Sequence, residues 1–132
     1  MLKELCKYIS NNDSNHTLGD NLILGEWTAN DPVASSAVTD SSGRSKNWTP
    51  NRDEYRIQVL SKGQDYLTAR DLSMSIYNLL KKKGQITLPV VDSGEEWIME
   101  QVNPVSPPQQ LSIDGETSPV ISVNYIIHAK KI

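Results

Sequence analysis

Apolar positions recur along this chain with two different periods, and the changes of period divide it into elements. Leu2, Leu5, Cys6 and Ile9 fall at helical spacing, which predicts a short amphipathic helix with Cys6 on its apolar stripe. The run SNNDSN from Ser10 ends it, because such side chains compete for backbone hydrogen bonds. Residues 22–27 (LILGEW) read as a strand. Residues 28–53 are rich in Ser, Asn, Asp, Thr and Pro and predict a long polar loop or arm. Inside it, 35–39 reads as a short strand closed by a turn at 40–43. The remainder, 44–53, is expected to be a mobile surface loop or a segment that orders on a neighbouring subunit.

The clearest patterns follow. Tyr55, Ile57 and Val59 alternate with Arg56 and Gln58, as in a half-buried strand. Gly63 allows a reversal, and Asp65 brings an oxygen and a negative charge to a helix start. Tyr66, Ala69, Ser73, Ile76, Tyr77 and Leu80 then recur at helical spacing and predict the core face of a helix, widened by Leu72 and Leu79. Lys81, Lys82 and Lys83 sit where the helix dipole favours cations, and Gly84 is a natural residue just past a helix end. Strands are predicted at 86–91, 96–102, 110–113 and 120–129, with turn signals at 92–94 and 114–115. This order predicts one α+β domain over 1–132, a mostly antiparallel mixed sheet with two main helices packed on one face.

Composition narrows the class. Hydrophobic residues make up 37% of 132, and with no Phe the aromatic core mass must come from three Trp and five Tyr. That is a thin core, as expected of a chain partly stabilised by a partner. A net charge of −3 argues against a dedicated nucleic-acid binder or a polybasic membrane anchor. A single Cys excludes an internal disulfide and a multi-Cys zinc site. No secretory leader pattern follows Met1, and no apolar run reaches membrane-spanning length. The expectation is a protein made and used in a reducing cytoplasm, or in something assembled there.

Motifs for chemistry are sparse. The segment from Ser61 to Asp65 has one glycine and satisfies neither a P-loop nor a dinucleotide fingerprint. The two histidines, His16 in a polar loop and His128 near the C-terminus, form no HxxxH pair. A Ser/His/Asp triad is not excluded by counting residues, but no GxSxG elbow is present. Cys6 reads as a buried structural thiol, and Glu95-Glu96 as a solvated strand edge. No catalytic residue, cofactor or metal ligand is expected, and the chain is not expected to be an enzyme.

The stretch YRIQVLSKGQDYLTARDLSMSIYNLL, from Tyr55, resembles the signature region of phage minor capsid and tail terminator (tail completion) proteins of long-tailed bacteriophages. Ile57-Gln58-Val59-Leu60, Gly63, Asp65-Tyr66, Ala69, Ile76-Tyr77 and Leu80 carry the likeness, and Lys62 stands where the family has Arg. Asp31-Pro32, Ala37 to Asp40, Gly43-Arg44 and the closing SVNYIIHAKK are also similar. The resemblance implies a virion protein at the head–tail junction, assembled in the host cytoplasm. It implies a homohexameric ring that ends tail-tube polymerisation and contacts the tail tube protein and the head-completion or connector protein. DNA would pass only as cargo in the lumen, and no membrane is involved. Arg44, Trp48 and Arg52 are the candidate interface residues, as exposed Trp and Arg are common anchors. The alternatives are a head-closure or stopper protein and, from another class, a small binding module or enzyme.

Overall fold

Alternation at Tyr55, Ile57 and Val59 produces one of the two central strands of the sheet, and the helical spacing after Gly63 produces the longer of two helices. The computed structural model describes residues 1–28, 30–46, 52–81, 84–91, 94–111 and 117–132, without the side chains of 41–46 and 52–53. The elements run α1 (Leu2–Asn12), β1 (Leu22–Leu24), β2 (Ser35–Lys46), β3 (Arg52–Lys62), α2 (Tyr66–Leu80), β4 (Ile86–Thr87), β5 (Trp97–Pro104), β6 (Gln109–Leu111) and β7 (Val120–Lys131). The sheet order is β1-β2-β3-β7-β5-β4, with β6 also paired to β7. Among these strand pairs only β1 and β2 run parallel. The chain is therefore α+β, with a mostly antiparallel mixed sheet.

Period-two geometry fixes which side chains meet. In the β3–β7 register Tyr55 opposes Ile127, Ile57 opposes Tyr125 and Val59 opposes Val123, so both apolar rows share one face. Leu5, Cys6 and Ile9 of α1 and Ile76 and Leu80 of α2 pack into one buried cluster with those residues and Val38. Both helices thus cover the same face. Each fully buried Leu or Ile contributes about 1.5–3 kcal/mol. At the Arg52 end of β3, Tyr55 and Trp97 close the core edge to face, with ring centroids 5.9 Å apart.

The joint between β3 and α2 is built by close approach. A Cβ on Gly63 would lie 2.8 Å from the Thr68 side chain and 2.9 Å from the Ala69 nitrogen. The first turn of α2 therefore rests directly on the Gly63 backbone. Asp65 is the N-cap, its carboxylate accepting the Thr68 N–H at 2.8 Å. That bond holds the carboxyl below the usual carboxylate range. Ala69, Ser73, Ile76 and Leu80 are buried as the spacing requires, and Tyr77 is half-buried against the same core.

Several expectations are corrected. In the polar stretch 28–53 the short strand expected at 35–39 is present, but it runs on through the turn expected at 40–43: β2 occupies Ser35–Lys46 and β3 begins at Arg52. The two pair antiparallel as far as Lys46 and Asp53, with register shifts on either side of Ser42. Polar residues form a strand here because β3 supplies main-chain partners along the whole length. On the far side of β2, β1 flanks only Ser36, Ala37 and Val38, so little of its outer edge must be apolar. Bulges and polar residues are also what keep such an edge from pairing with other chains. Trp48, and all of 47–51, lie outside the described residues.

Tyr66 is not on the core face. Its angle on the helix is right, but as the first helical residue it lies past the end of the sheet and is 45% exposed. The strand expected at 22–27 stops at Leu24, where Gly25 takes φ +102° and its N–H bonds the Val38 carbonyl. Gly84 is not the residue just past the helix end. α2 closes at Lys81, three residues before Gly84, and the Lys81 N–H reaches the Tyr77 carbonyl. The strand expected at 86–91 ends at Thr87, two residues before Pro89, which has no N–H to give a ladder.

Gly63→Ala is expected to destabilise the fold by about 2 kcal/mol through overpacking of the joint. Urea denaturation checks this, and equal stability of the two proteins would show that the joint has room to spare.

Candidate functional site

The sequence-predicted residues fall at two ends of the sheet. Gly63, Asp65 and Tyr66 follow the Lys62 end of β3, while Arg52 begins it and Arg44 lies near the end of β2 that pairs beside it. At about 3.3 Å per residue, the length of β3 separates the two groups by roughly 30 Å. Arg44, Arg52 and the turn residues therefore do not form one site.

At the Lys62 end, the Lys62 ammonium lies 4.7 Å from the centre of the Trp27 ring. Val33, Tyr66 and Leu67 are exposed large apolar side chains in the segments that enter β2 and follow β3 at this end, with Leu67 67% exposed. The sequence marked Tyr66 as core, and it gave no signal for Trp27 over Lys62, which depends on β2 and β3 being neighbours.

A separate open cleft of about 550 Å³ lies between the start of α1, the end of β1, the middle of β2 and the segment before β5. Leu2, Leu24, Val38 and Val91 form its apolar wall, and Asp40 and Glu95 its rim. Glu95 is engaged by Lys131 at 3.1 Å, and this contact holds its carboxyl below the usual range. Cys6 is buried away from solvent, and burial, with Glu4 nearby, pushes its thiol up to about 12, far from a reactive thiolate.

A buried polar cluster was not legible in the sequence. His16, in a stretch read as a polar loop, is 2% exposed. Its Nδ1 lies 3.0 Å from Asp13 Oδ2 and its Nε2 2.8 Å from Ser36 Oγ, which lies 2.7 Å from Ser61 Oγ. Asp13 also accepts from the Ser75 hydroxyl at 2.6 Å and the Asn15 N–H at 2.9 Å. A carboxylate can only accept, so the neutral ring carries its proton on Nδ1 and accepts at Nε2 from Ser36, which in turn accepts from Ser61.

The order Asp, His, Ser is that of a nucleophilic triad. Yet Ser36 and Ser61 have no exposed surface, as they face each other within the paired strands β2 and β3. No substrate carbonyl reaches that hydroxyl without parting the sheet. What the arrangement does is tie the end of α1 to β2, β3 and, through Ser75, α2.

Among the described residues, no group of three or more His, Cys, Asp or Glu is placed to hold a metal ion. No helix among them is long and apolar enough to cross a membrane. No protein-family model matches the chain, and no curated protein matches it.

Burial lowers the His16 pKa from 6.5, outweighing the opposing pull of Asp13. The folded protein thus prefers the neutral ring. The stability this gives is full above the unfolded value and is lost as pH falls below it. Wild type is expected to be less stable near pH 5.5 than near pH 7.5, and His16→Gln is expected to flatten that difference while costing about 2 kcal/mol at the higher pH. Denaturant titrations at both pH values check this; an unchanged pH dependence in the variant would contradict it.

Proposed function

We propose that this chain is a tail terminator of a long-tailed bacteriophage. In this reading six copies form a ring on the head-proximal end of the tail tube, end its polymerisation and offer the opposite face to the head-completion protein. The mechanism is binding, with no bond made or broken. It acts at the head–tail junction of the virion, and in the host cytoplasm while the tail is built.

The observation that carries the reading is the resemblance over residues 56–80, in which most of the matched positions have a physical duty in this fold. Ile57 and Val59 are buried strand residues, and Ala69, Ile76 and Leu80 are buried helix residues. Gly63 admits the helix against the strand end, and Asp65 caps it. Tyr66, by contrast, is exposed at the helix start. An exposed aromatic within the signature is what a contact with another protein would require. The mildly acidic charge supports the reading too, since a basic lumen would hold passing DNA by its phosphates.

Negative-stain microscopy of particles assembled without this chain tests the proposal. Overlong, irregular tails beside separate DNA-filled heads are expected. Tails of normal length that fail to join heads would replace the terminator with a head-closure component, and intact virions would overturn the phage reading altogether.

A further inference from the structure

Helix α1 rests on the sheet by packing and by one polar junction at its end. Leu5, Cys6 and Ile9 are buried in the same cluster as Leu22 and Val38. Among the described residues, the side-chain hydrogen bonds that run from 1–16 to β2 and α2 start at Asp13, Asn15 and His16. His16 Nε2 meets Ser36 at 2.8 Å, and Asp13 and Asn15 meet Ser75 at 2.6 and 3.0 Å. The charged group that faces the ring is Asp13, from the end of α1. β2, β3 and α2 bring to the junction the uncharged hydroxyls of Ser36, Ser61 and Ser75.

The hydrogens in this junction match a neutral ring. Two hydroxyl hydrogens, on Ser36 and Ser61, serve two contacts: His16 Nε2 to Ser36 Oγ, and Ser36 Oγ to Ser61 Oγ at 2.7 Å. A proton on Nε2 adds a third hydrogen to the same two contacts. However the two serines turn, one hydrogen is then left out, where Ser36 and Ser61 have no exposed surface. Burial of the ring acts in the same direction and outweighs Asp13. Water supplies the missing acceptor once α1 lifts and His16 reaches solvent.

We propose that α1 and the segment through His16 form an acid-released latch: protonation of His16 lifts them from the sheet while β2, β3, β7 and α2 stay folded. Release bares the Leu5, Cys6 and Ile9 stripe and the surface around Leu22 and Val38. It also opens the cleft that Leu2 walls against Leu24 and Val38. The paired strands survive because their ladders do not include α1. The latch stands on the geometry of the junction and is independent of the role proposed above.

Cys6, the single cysteine of the chain and fully buried on α1, reports the opening. The test is the rate at which 4,4′-dithiodipyridine, a disulfide that reacts with thiols in acid, labels Cys6 in the full chain at pH 7.5 and pH 5.0. Each rate is taken relative to the urea-unfolded chain at the same pH. Opening is expected to rise by up to about 30-fold at pH 5.0, because a ring titrating at the ordinary 6.5 in the open form is then almost wholly protonated. The rate is expected to depend only weakly on added urea, as a local opening exposes little surface. His16→Gln, with circular dichroism as the check of folding, is expected to remove the rise.

Equal relative rates at the two pH values would overturn the proposal. Labelling at pH 5.0 with the full urea dependence of global unfolding would overturn it as well, and that measurement needs no variant. A rise that persists in folded His16→Gln would assign the acid response to another group and overturn the latch.

Discussion

The contact between the first turn of α2 and the end of β3 is the constraint on which the rest depends. Gly63 permits it by having no side chain where Thr68 and Ala69 press, and Asp65 fixes the helix start by accepting the Thr68 N–H. With that start set, Ala69, Ser73, Ile76 and Leu80 fall in order onto the sheet. β3 can receive them because β2 and β7 flank it along nearly its whole length. The short outer strands β1 and β4 add width but little to this unit.

A second tie holds α1 and the segment after it. Helix α1 buries Leu5, Cys6 and Ile9, yet its far end is secured by a polar chain from Asp13 through His16 to Ser36 and Ser61. Every polar atom in that chain has a partner, which is what makes such burial tolerable. The cluster links four segments far apart in sequence, and Ser36 and Ser61 give it a rigid seat within paired strands. Its resemblance to a nucleophilic triad is one of order, not of access.

The parts of the fold legible in the sequence are those whose burial is one-sided and local. α2 showed itself by spacing of 3.6, β3 and β7 by alternation, and Asp65 by its cap chemistry. β2 beyond Thr39 was hidden, because an edge strand paired through its backbone needs no apolar alternation. The His16 cluster was hidden for the opposite reason: its members are polar, and only the tertiary fold makes them interior. Tyr66 was misplaced because periodicity reports the angle around a helix and not whether sheet lies beneath that turn. For the same reason the exposed end with Tyr66, Leu67 and Trp27 over Lys62 needed the structure before it could be seen as a surface.

Native-state hydrogen exchange tests the central claim most directly, because it ranks segments by the free energy at which they open. Amides of β3, β7 and α2 are expected to exchange only through global unfolding, with β1, β4 and the end of α1 opening at lower cost. Exchange of α2 amides ahead of α1, or of β3 ahead of β1, would contradict an account in which the β3–Gly63–α2 joint organises the fold.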